Sequence, residues 1–594
     1  MEFEQKAEEK KMSMSKNIAR LAVTAGLTAA LSFGGVMAPV TMAFAEDGAT
    51  LPNNSITITQ SEGNASTQFK AYQIFKADVV DESGKTDKVV SNVKWAFDNV
   101  ETQNAIIAAI KADSKYEASD PKLPDKTTAQ DVADWLTKNV TGTTAKTVVN
   151  KDHLLNKIAA IVKKNVKATG DPFSAGYSFT VPTDDNNSPK TGYYLFLTDE
   201  SSLSTPGATK KNTGTSPIFA VVGGNSVTVT EKTSIPTVDK EVREGATWGK
   251  RSDSYIGEEV EYKLTGSVAS NIATFNRYEY KFQDTLSKGL EVAKNDDGTP
   301  KDLRVYIVNN DIPIEVKRDD KDGYKVAWSK DETTKKETLT ISFDNLKAVK
   351  STDSSEIAVD AHSSVVVTYK AKLNSEVEYK ADGATNEVEL VYSNNPMTED
   401  TGTSESDKVA DYVFGLDVTK AASDDSNKKL VAGFKVKMIE EGATPVSGDQ
   451  WLTQTGGITS DAGKAGVFTT SEKDSKVFIP GLVAGKYEIT ECKTPAGYNS
   501  IKFTIEVTPT YNEKTGELTG LTVTPHSDMV TSKLDKKVTS TKIPITIENK
   551  KGSSLPLTGL NGVTFTWIAG GAVLCIGVAH LIRSRKQAEE SEQE

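Results

Sequence analysis

Short runs in which hydrophobic and polar residues alternate recur along most of the chain and constrain its fold more than any other feature. Representative runs span residues 55–60, 193–198, 226–230, 365–369, 433–438 and 543–547, and turns rich in Gly, Asp and Asn separate them. Alternation with a period of two, broken by frequent turns, is typical of β-sandwiches. The sequence therefore predicts a mainly β protein built from tandem Ig-like sandwiches.

Helical periodicity occurs in one interval of the chain. Segments 102–112, 129–138 and 153–164 repeat apolar residues every three to four positions, which is typical of amphipathic helices. These segments predict that a first domain carries helical insertions.

Composition excludes several classes of protein. The 594 residues are enough for three or four domains. A net charge of −12 and the lack of a basic stripe argue against nucleic-acid binding. Four His and two Cys leave little material for a zinc site or a Ser-His-Asp centre. We therefore expect no enzyme acting on a diffusible substrate, no cofactor and no metal.

The amino terminus has the order of a secretory signal. Basic residues up to Arg20 precede an apolar run at 21–40, and Ala43-Phe44-Ala45 forms a small-x-small cleavage site. This pattern predicts a signal peptide over residues 1–45. Export would permit disulfides, but the predicted mature chain keeps Cys492 as its one thiol, because Cys575 lies in a segment that is predicted to be removed.

The carboxyl terminus resembles the cell-wall sorting signal of Gram-positive surface proteins, over residues 555–594. Leu555-Pro556-Leu557-Thr558-Gly559 precedes an apolar run at 560–582 that is long enough to span a bilayer, and a basic tail follows. The resemblance implies that a sortase cuts between Thr558 and Gly559, after a transient stage in the plasma membrane. The mature chain would run from residue 46 to residue 558 and be anchored to peptidoglycan.

Breaks in the alternating pattern predict the domain boundaries. Pro236 interrupts the pattern near residues 232–237, and a polar run covers 395–408. The expected organisation is an N-terminal domain at 46–232, a second domain at 233–396, a linker at 397–410 and a C-terminal domain at 411–550.

Strand parity places polar side chains at the ends of apolar rows in the C-terminal domain. Residues two apart on a strand share a face. The rows that begin at Phe414, Tyr487 and Ile543 end respectively in Lys420, Glu491 and Asn549. One amine, one carboxyl and one amide therefore point toward the core. The alternative is that the Lys snorkels at the sheet rim and the carboxyl caps a turn.

Burial gives such a trio a reaction. Desolvation lowers the pKa of a Lys and raises that of a Glu. A protonated Glu491 would polarise the carbonyl group of Asn549, the neutral amine of Lys420 would attack that carbon, and ammonia would leave. Proximity would supply much of the rate. The product is a Lys-Asn isopeptide bond, formed once per chain by the protein's own residues.

The second domain repeats this arrangement. Lys240 lies in the apolar row of its first strand, and Asp284 closes the row of a later strand. The row at 386–394 has an amide at each end. Parity does not choose between these two amides; we prefer Asn386 as the partner of Lys240, with Asn394 as the alternative.

A family resemblance is carried by these same residues. Segment 487–498 resembles the E-box of Gram-positive shaft pilins and of the B-type domains of collagen adhesins, with Cys492 where Thr is usual. Segments 235–242, 282–284 and 386–396 resemble the fimbrial isopeptide-forming second domain. The resemblance implies tandem sandwiches of the collagen-adhesin type, with the Lys, Asn and acid named above as the isopeptide residues. The opening strand of the first domain has no such Lys, so we expect no bond there.

A further lysine is a candidate for joining subunits. In segment 227–232 the odd-numbered residues are the apolar ones, and Lys232 continues the polar row of Thr228 and Thr230. Its position resembles that of the pilin-motif lysine, which in the family usually follows Tyr-Pro rather than Thr230-Glu231. We expect Lys232 to face solvent and Lys240 to be buried, although the two could exchange roles.

Together the residues and the resemblance predict a major shaft subunit of a covalent Gram-positive pilus used in surface adhesion. A pilus sortase would join Thr558 of one copy to Lys232 of another, and a housekeeping sortase would fix the fibre to peptidoglycan. Expected partners are other copies of the chain, the sortases, tip or basal pilins and host receptors. The alternative is a wall-anchored adhesin that does not polymerise and binds host matrix through its first domain.

Overall fold

The computed structural model describes residues 52–81, 88–140, 152–425, 428–535 and 537–552. The predicted signal peptide and sorting signal lie outside these residues. Within the described ranges, none of the helices is long and apolar enough to cross a membrane. Strands are the main regular structure of the described chain, at 46% against 9% for helices, which confirms the prediction of a mainly β protein.

The first module contains two sheets and three helices. Its elements are β1 Ser55–Thr59, β2 Gln68–Asp81, β3 Lys88–Trp95, α1 Val100–Lys111, α2 Ala129–Asn139, α3 Leu154–Asn165, β4 Phe173–Ser174, β5 Ser178–Thr180, β6 Gly192–Thr198, β7 Ile218–Val222 and β8 Val227–Thr230. One sheet has the order β5-β1-β8, and the other has the order β3-β2-β6-β7 with β4 against β2. In the first sheet β1 and β8 run parallel. The opening and closing strands of the module are therefore neighbours.

The helices begin where the sequence provides caps. The Asn99 side chain accepts a hydrogen bond from the backbone N–H of Thr102, and Thr128 and Asp131 form a capping box at the start of α2. The helices bury apolar residues, including Ile106, Leu136 and Ile158, in the same core as the sheet strands. The predicted helical insertions are thus found, with their ends within two residues of the expected positions.

The second module is a sandwich of two seven-stranded sheets. Its strands are β9 Val238–Glu244, β10 Thr247–Gly249, β11 Arg251–Asp253, β12 Glu259–Ser267, β13 Tyr280–Leu286, β14 Leu290–Val292, β15 Arg304–Asn309, β16 Ile312–Glu315, β17 Lys325–Lys330, β18 Glu337–Phe343, β19 Ser364–Leu373, β20 Ala384–Ser393, β21 Thr401–Thr403 and β22 Asp407–Tyr412. One sheet has the order β10-β9-β12-β19-β15-β16 with β14 against β19. The other has the order β11-β22-β20-β13-β18-β17 with β21 against β20.

The segment predicted as a linker, 397–410, contributes strands to the second module. β21 pairs with β20, and β22 pairs antiparallel with β20 and parallel with β11. Val409 is buried on β22, and the carboxyl group of Asp411 is buried against the hydroxyl of Ser254 at 2.6 Å. The sequence concealed this strand because one of its inward residues is an Asp, whose burial depends on a partner far along the chain.

The third module is a sandwich of a four-stranded and a seven-stranded sheet. Its strands are β23 Phe414–Ala422, β24 Gly433–Glu441, β25 Thr444–Leu452, β26 Ile458–Thr459, β27 Phe468–Thr469, β28 Lys476–Leu482, β29 Gly485–Lys493, β30 Lys502–Tyr511, β31 Leu518–Pro525, β32 Val530–Ser532 and β33 Lys542–Asn549. The smaller sheet has the order β28-β23-β33-β32, and the larger has the order β26-β25-β24-β29-β30-β31 with β27 against β24. The first and last strands, β23 and β33, are adjacent and parallel.

Within the described ranges, three short 3-10 helices lie between strands. They span Glu200–Ser202 in the first module, and Ile272–Thr274 and Leu346–Ala348 in the second.

Candidate functional site

The second module brings three of the predicted residues together in its core. Lys240 lies on β9 of one sheet, whereas Asp284 on β13 and Asn386 on β20 belong to the facing sheet. All three are fully buried, with 0% exposure. Strand alternation turns each side chain inward, so residues that are distant in sequence meet between the sheets.

A tyrosine hydroxyl connects these groups. The Lys240 amine contacts Oδ1 of Asp284 directly and lies 3.4 Å from the hydroxyl of Tyr369. That hydroxyl donates to Oδ2 of Asp284 at 2.5 Å and accepts from Nδ2 of Asn386 at 2.7 Å. The amide oxygen of Asn386 accepts no hydrogen bond from any described residue. Amine, carboxyl, hydroxyl and amide thus form one continuous chain of contacts.

Aromatic side chains surround these contacting groups, which are buried from solvent. The rings of Tyr262 and Tyr369 stack with centroids 5.5 Å apart, and Lys240 Nζ lies 5.6 Å and 5.7 Å from the two centroids. Burial lowers the pKa of Lys240, although the carboxylate of Asp284 opposes the shift. Burial also raises the pKa of the Tyr369 hydroxyl well above its ordinary value. A neutral, nucleophilic amine is therefore accessible here.

Asn394 lies elsewhere. Its Nδ2 donates to the carbonyl oxygen of Ser204 at 3.0 Å, and its backbone carbonyl accepts from Thr213 Oγ1 at 2.7 Å and from the Gly214 N–H at 2.6 Å. These are contacts with the first module. Of the two amides that the sequence left open, the structure brings Asn386 together with Lys240.

Tyr369 was missed by the sequence analysis. It lies on β19 in a buried row that includes Val365 and Val367, directly opposite Tyr262 on β12. Amines, amides and carboxyls stand out in an apolar row because they are strongly polar. A tyrosine in an apolar row carries the same signal, because a buried hydroxyl needs a polar partner.

The third module also assembles its predicted trio. Asn549 donates from Nδ2 to both carboxyl oxygens of Glu491, at 2.9 Å and 3.0 Å, and the Ile501 N–H donates to Oε2 at 3.1 Å. The Lys420 amine donates to the carbonyl oxygen of Ile547 at 2.9 Å, two residues before Asn549 on the paired strand. Lys420, Glu491 and Asn549 are all buried.

The carboxyl group of Glu491 faces the nitrogen of the amide rather than its carbonyl oxygen. This corrects the expectation that Glu491 polarises the carbonyl group of Asn549. The reason is that the amide nitrogen is a donor and lies about equally far from both carboxyl oxygens, which accept, whereas the amide oxygen accepts no hydrogen bond in the part of the chain that the structure describes.

Burial perturbs both titratable groups of this trio. It lowers the pKa of Lys420 to about 8, although the nearby Glu491 opposes the shift. It raises the pKa of Glu491, although the hydrogen bond from Asn549 opposes that shift. Both changes favour a neutral amine beside a protonated acid.

Lys232 is half-buried, which corrects the expectation that it faces solvent. β8 ends at Thr230, after which Glu231 turns inward. The backbone N–H of Lys232 donates to Thr215 Oγ1 at 3.1 Å, and its carbonyl oxygen accepts from Asn271 Nδ2 of the second module at 3.5 Å. Strand parity describes β8 correctly but does not extend past its end at Thr230. Burial of the Lys232 side chain lowers its pKa to about 8.

Glu231 anchors the backbone beside Lys232. Its carboxylate is 2% exposed. It accepts hydrogen bonds from the Ser61 N–H at 3.0 Å, Asn64 Nδ2 at 2.7 Å and Thr67 Oγ1 at 3.0 Å. The lysine therefore follows a carboxylate that is tied to the first module.

Two other predictions concern the sortase cleavage site and metal binding. Leu555, Pro556, Thr558 and Gly559 lie outside the described residues. Among the residues that the structure describes, no group of three or more His, Cys, Asp or Glu side chains is placed to hold a metal ion.

Part of the third module matches a known protein family. Residues 415–520 match the SpaA family, described as a prealbumin-like fold domain. This segment of the chain is therefore similar to SpaA prealbumin-like domains. The matched segment includes Lys420 and Glu491 but ends before Asn549.

One curated protein is similar to part of the chain. The trypsin-resistant surface T6 protein of Streptococcus pyogenes serotype M6 is 23% identical over 280 residues, which cover 47% of this chain and 46% of that protein. The chain thus spans about half the length of this curated relative.

Two solved structures are also similar. The T6 backbone pilin of Streptococcus pyogenes has 14% identity and a TM-score of 0.45, covering 85% of this chain and 100% of that one. The major pilin SpaA of Corynebacterium diphtheriae has 12% identity and a TM-score of 0.41, covering 84% of this chain and 100% of that one.

Proposed function

We propose that the chain is the shaft subunit of a covalent pilus whose second and third modules are cross-linked internally. The proposal rests on one observation: two separate cores each bury a Lys, a carboxyl group and an Asn. In the second module these groups are joined by contacts through Tyr369. In the third module the acid contacts the Asn, and the Lys lies on the strand next to the Asn. A buried charge pair is costly, and replacing it with a neutral amide removes that cost. The match of residues 415–520 to the SpaA family and the similarity to a streptococcal surface protein support the same function.

The reaction in the third module follows from its contacts. The neutral amine of Lys420 forms a bond to Cγ of Asn549, and the bond between Cγ and Nδ2 breaks. Nδ2 leaves as ammonia after taking a proton from the carboxyl of Glu491, which it already contacts, and the attacking nitrogen returns a proton to that carboxyl. Protons and charge balance, and no external reactant is needed.

The two bonds would constrain the modules differently. In the second module the bond would join facing sheets, from β9 to β20, whereas in the third it would join the adjacent strands β23 and β33. By analogy with disulfides, closing loops of this size stabilises the folded state by about 4–5 kcal/mol, mainly through the unfolded chain. Each bond would also prevent a pulled strand from leaving its sandwich.

Lys232 is the proposed acceptor for joining subunits. Its amine has no hydrogen-bond or ion-pair partner among the described residues, and its lowered pKa of about 8 leaves a useful neutral fraction near neutral pH. A pilus sortase would transfer the acyl group of Thr558 from one copy to this amine. Because the donor and acceptor surfaces differ, the association is head-to-tail and open, so it forms a fibre.

Intact-mass measurement of the purified mature chain tests the internal bonds. We expect a mass below the encoded value by two ammonia molecules. Asp284→Ala should restore one of them, and Glu491→Ala should restore the other. A wild-type mass equal to the encoded value would refute both bonds.

Immunoblots of cell-wall extracts test polymerisation. We expect a ladder of species that survives boiling in detergent and disappears in Lys232→Ala. Lys210→Ala is the matched control, because Lys210 is an exposed lysine of the same module whose amine donates to the Ser202 carbonyl oxygen at 3.4 Å. A single monomeric band in wild type would instead support the wall-anchored adhesin.

A further inference from the structure

We propose that Tyr369 is a catalytic residue of the second-module cross-link, and that its hydroxyl carries a proton from Asp284 to the departing nitrogen of Asn386. This inference rests on the proposed bond between Lys240 and Asn386. It assigns a role to a residue that neither the parity pattern nor the family resemblance singled out.

The geometry places the hydroxyl between the acid and the leaving group. Tyr369 Oη lies 2.5 Å from Oδ2 of Asp284 and 2.7 Å from Nδ2 of Asn386. The other carboxyl oxygen, Oδ1, contacts the Lys240 amine. Asp284 therefore meets the nucleophile with one oxygen and the hydroxyl with the other, and the hydroxyl meets the nitrogen that must leave.

The steps balance without an external reactant. The Lys240 ammonium passes a proton to the hydroxyl of Tyr369, whose own proton moves to Oδ2 of Asp284. The neutral amine then forms a bond to Cγ of Asn386. The bond from Cγ to Nδ2 then breaks while Nδ2 takes the hydroxyl proton of Tyr369, and the hydroxyl is restored by the proton on Oδ2 of Asp284. The attacking nitrogen returns a second proton to Oδ1. The products are a neutral amide, ammonia and a protonated Asp284.

The third module shows why a relay is needed in the second. Glu491 reaches Nδ2 of Asn549 directly with both oxygens, at 2.9 Å and 3.0 Å. Asp284 has one methylene fewer, and Tyr369 occupies the position between its carboxyl and the amide. A longer acid and an acid with a hydroxyl relay thus serve the same proton transfer.

Tyr262 provides a matched control. Its ring stacks on that of Tyr369 at 5.5 Å, it is equally buried, and Lys240 Nζ lies at a similar distance from both rings. Its hydroxyl, however, has no hydrogen-bond partner in the described structure. Tyr262→Phe therefore removes a hydroxyl from the same environment without touching the proposed relay.

The test follows bond closure with time after synthesis of the chain, by intact mass and peptide mapping of the cross-linked residues. We expect Tyr369→Phe to close the second-module bond about 10²-fold more slowly than wild type, in the range typical of general acid catalysis. Tyr262→Phe should close it at the wild-type rate. The third-module bond should form normally in every variant and serves as an internal reference.

The outcomes separate this inference from the proposed function. If the wild-type chain never loses the ammonia expected from Asn386, the proposed second-module bond does not form, and the relay is overturned with it. If wild type closes the bond and Tyr369→Phe closes it equally fast, the relay is overturned while the bond stands.

A second measurement covers the case in which Tyr369→Phe does not fold. Fluorotyrosine incorporated at position 369 keeps the shape of the side chain but makes the hydroxyl more acidic. We expect the closure rate to change at position 369 and not at position 262, because relay rates follow the acidity of the relaying group. An unchanged rate at position 369 would overturn the relay.

Discussion

A lysine amine inside a β-sandwich is destabilising unless its charge is removed or paired. Burial lowers the pKa of Lys420 to about 8, yet its neighbours are a backbone carbonyl and an acid that already holds an amide. Lys420 therefore forms no close ion pair with Glu491. Conversion of its amine to a neutral amide removes the free-energy cost of burying a charged group. At the scale of residues, the third module is arranged for reaction rather than for a permanent salt bridge.

Glu491→Gln tests this argument. Glutamine keeps the shape of the side chain but cannot deliver a proton to the leaving nitrogen, so we expect the third-module bond not to form. The mass of the mature chain should rise by one ammonia molecule, apart from the small change due to the substitution. Glu488→Gln is the control, because Glu488 lies on the same strand but forms an ion pair with Lys502 at 3.0 Å on the outer face. A bond that forms equally in both variants would contradict the role of the acid.

The amine of Lys232 should react at a lower pH than an ordinary lysine. Its pKa of about 8, against about 10.4 for a free side chain, means that it loses its proton earlier as pH rises. Labelling of the mature chain with an acylating reagent, read by peptide mass spectrometry, should reach half its maximum rate at Lys232 near pH 8. A midpoint near that of free lysine would contradict the half-buried position of this side chain.

At the scale of elements, Glu231 links the end of β8 to the start of the first module. β1 and β8 are parallel neighbours. The buried carboxylate of Glu231 then continues the connection through Ser61, Asn64 and Thr67. This network therefore holds the backbone on the N-terminal side of Lys232 to the first module.

Removing the Glu231 carboxylate should loosen this connection. Glu231→Ala leaves several buried donors without an acceptor, and we expect a loss of about 2–4 kcal/mol in local stability. Hydrogen exchange of the amides in β1 and β8 should accelerate accordingly. Glu62→Ala is the control, because Glu62 is exposed in the same loop region. Equal exchange in the two variants would show that the network does not stabilise these strands.

Some features of this architecture could be predicted from the sequence and others could not, and the difference has a physical reason. Parity is a local property, so it placed Lys240, Asp284, Lys420, Glu491 and Asn549 in buried rows. It could not reveal which distant strands meet. The position of Tyr369 between Asp284 and Asn386, and the pairing of β22 with β11, both depend on contacts across more than a hundred residues of chain or between facing sheets.

At the scale of the whole molecule, the second and third modules meet directly. The hydroxyl of Tyr511 donates to the carboxyl of Asp253, and the N–H of Ile256 donates to the carbonyl oxygen of Gly456 at 3.2 Å. Arg251 packs over the ring of Tyr511 at 4.1 Å. Tension along a fibre would therefore pass between the two modules partly through these contacts.

Acidic groups make this junction sensitive to pH. Burial raises the pKa of Asp253 and of Glu258 to about 7, and repulsion from neighbouring carboxylates adds to the shift. The carboxylates that face them are Glu244 and Glu441, and Arg251 offers a partial counter-charge to Asp253. Asp411 is buried nearby, and desolvation raises its pKa well above the ordinary value.

These shifts predict that the junction is more stable in mild acid. Their folded pKa values lie above the values of about 4 expected in the unfolded chain, so the folded state binds more protons between those limits. The contribution is full below about pH 4 and is lost as pH rises through about 7. We therefore expect the thermal midpoint of the second and third modules to be higher at about pH 5.5 than at about pH 8.

Glu258→Gln should flatten this dependence, whereas Glu259→Gln, at an exposed position paired with Lys301 at 2.7 Å, should leave it unchanged. A midpoint that rises with pH in wild type would show that these carboxyls are ionised in the folded chain and that the junction does not respond to acid in this way.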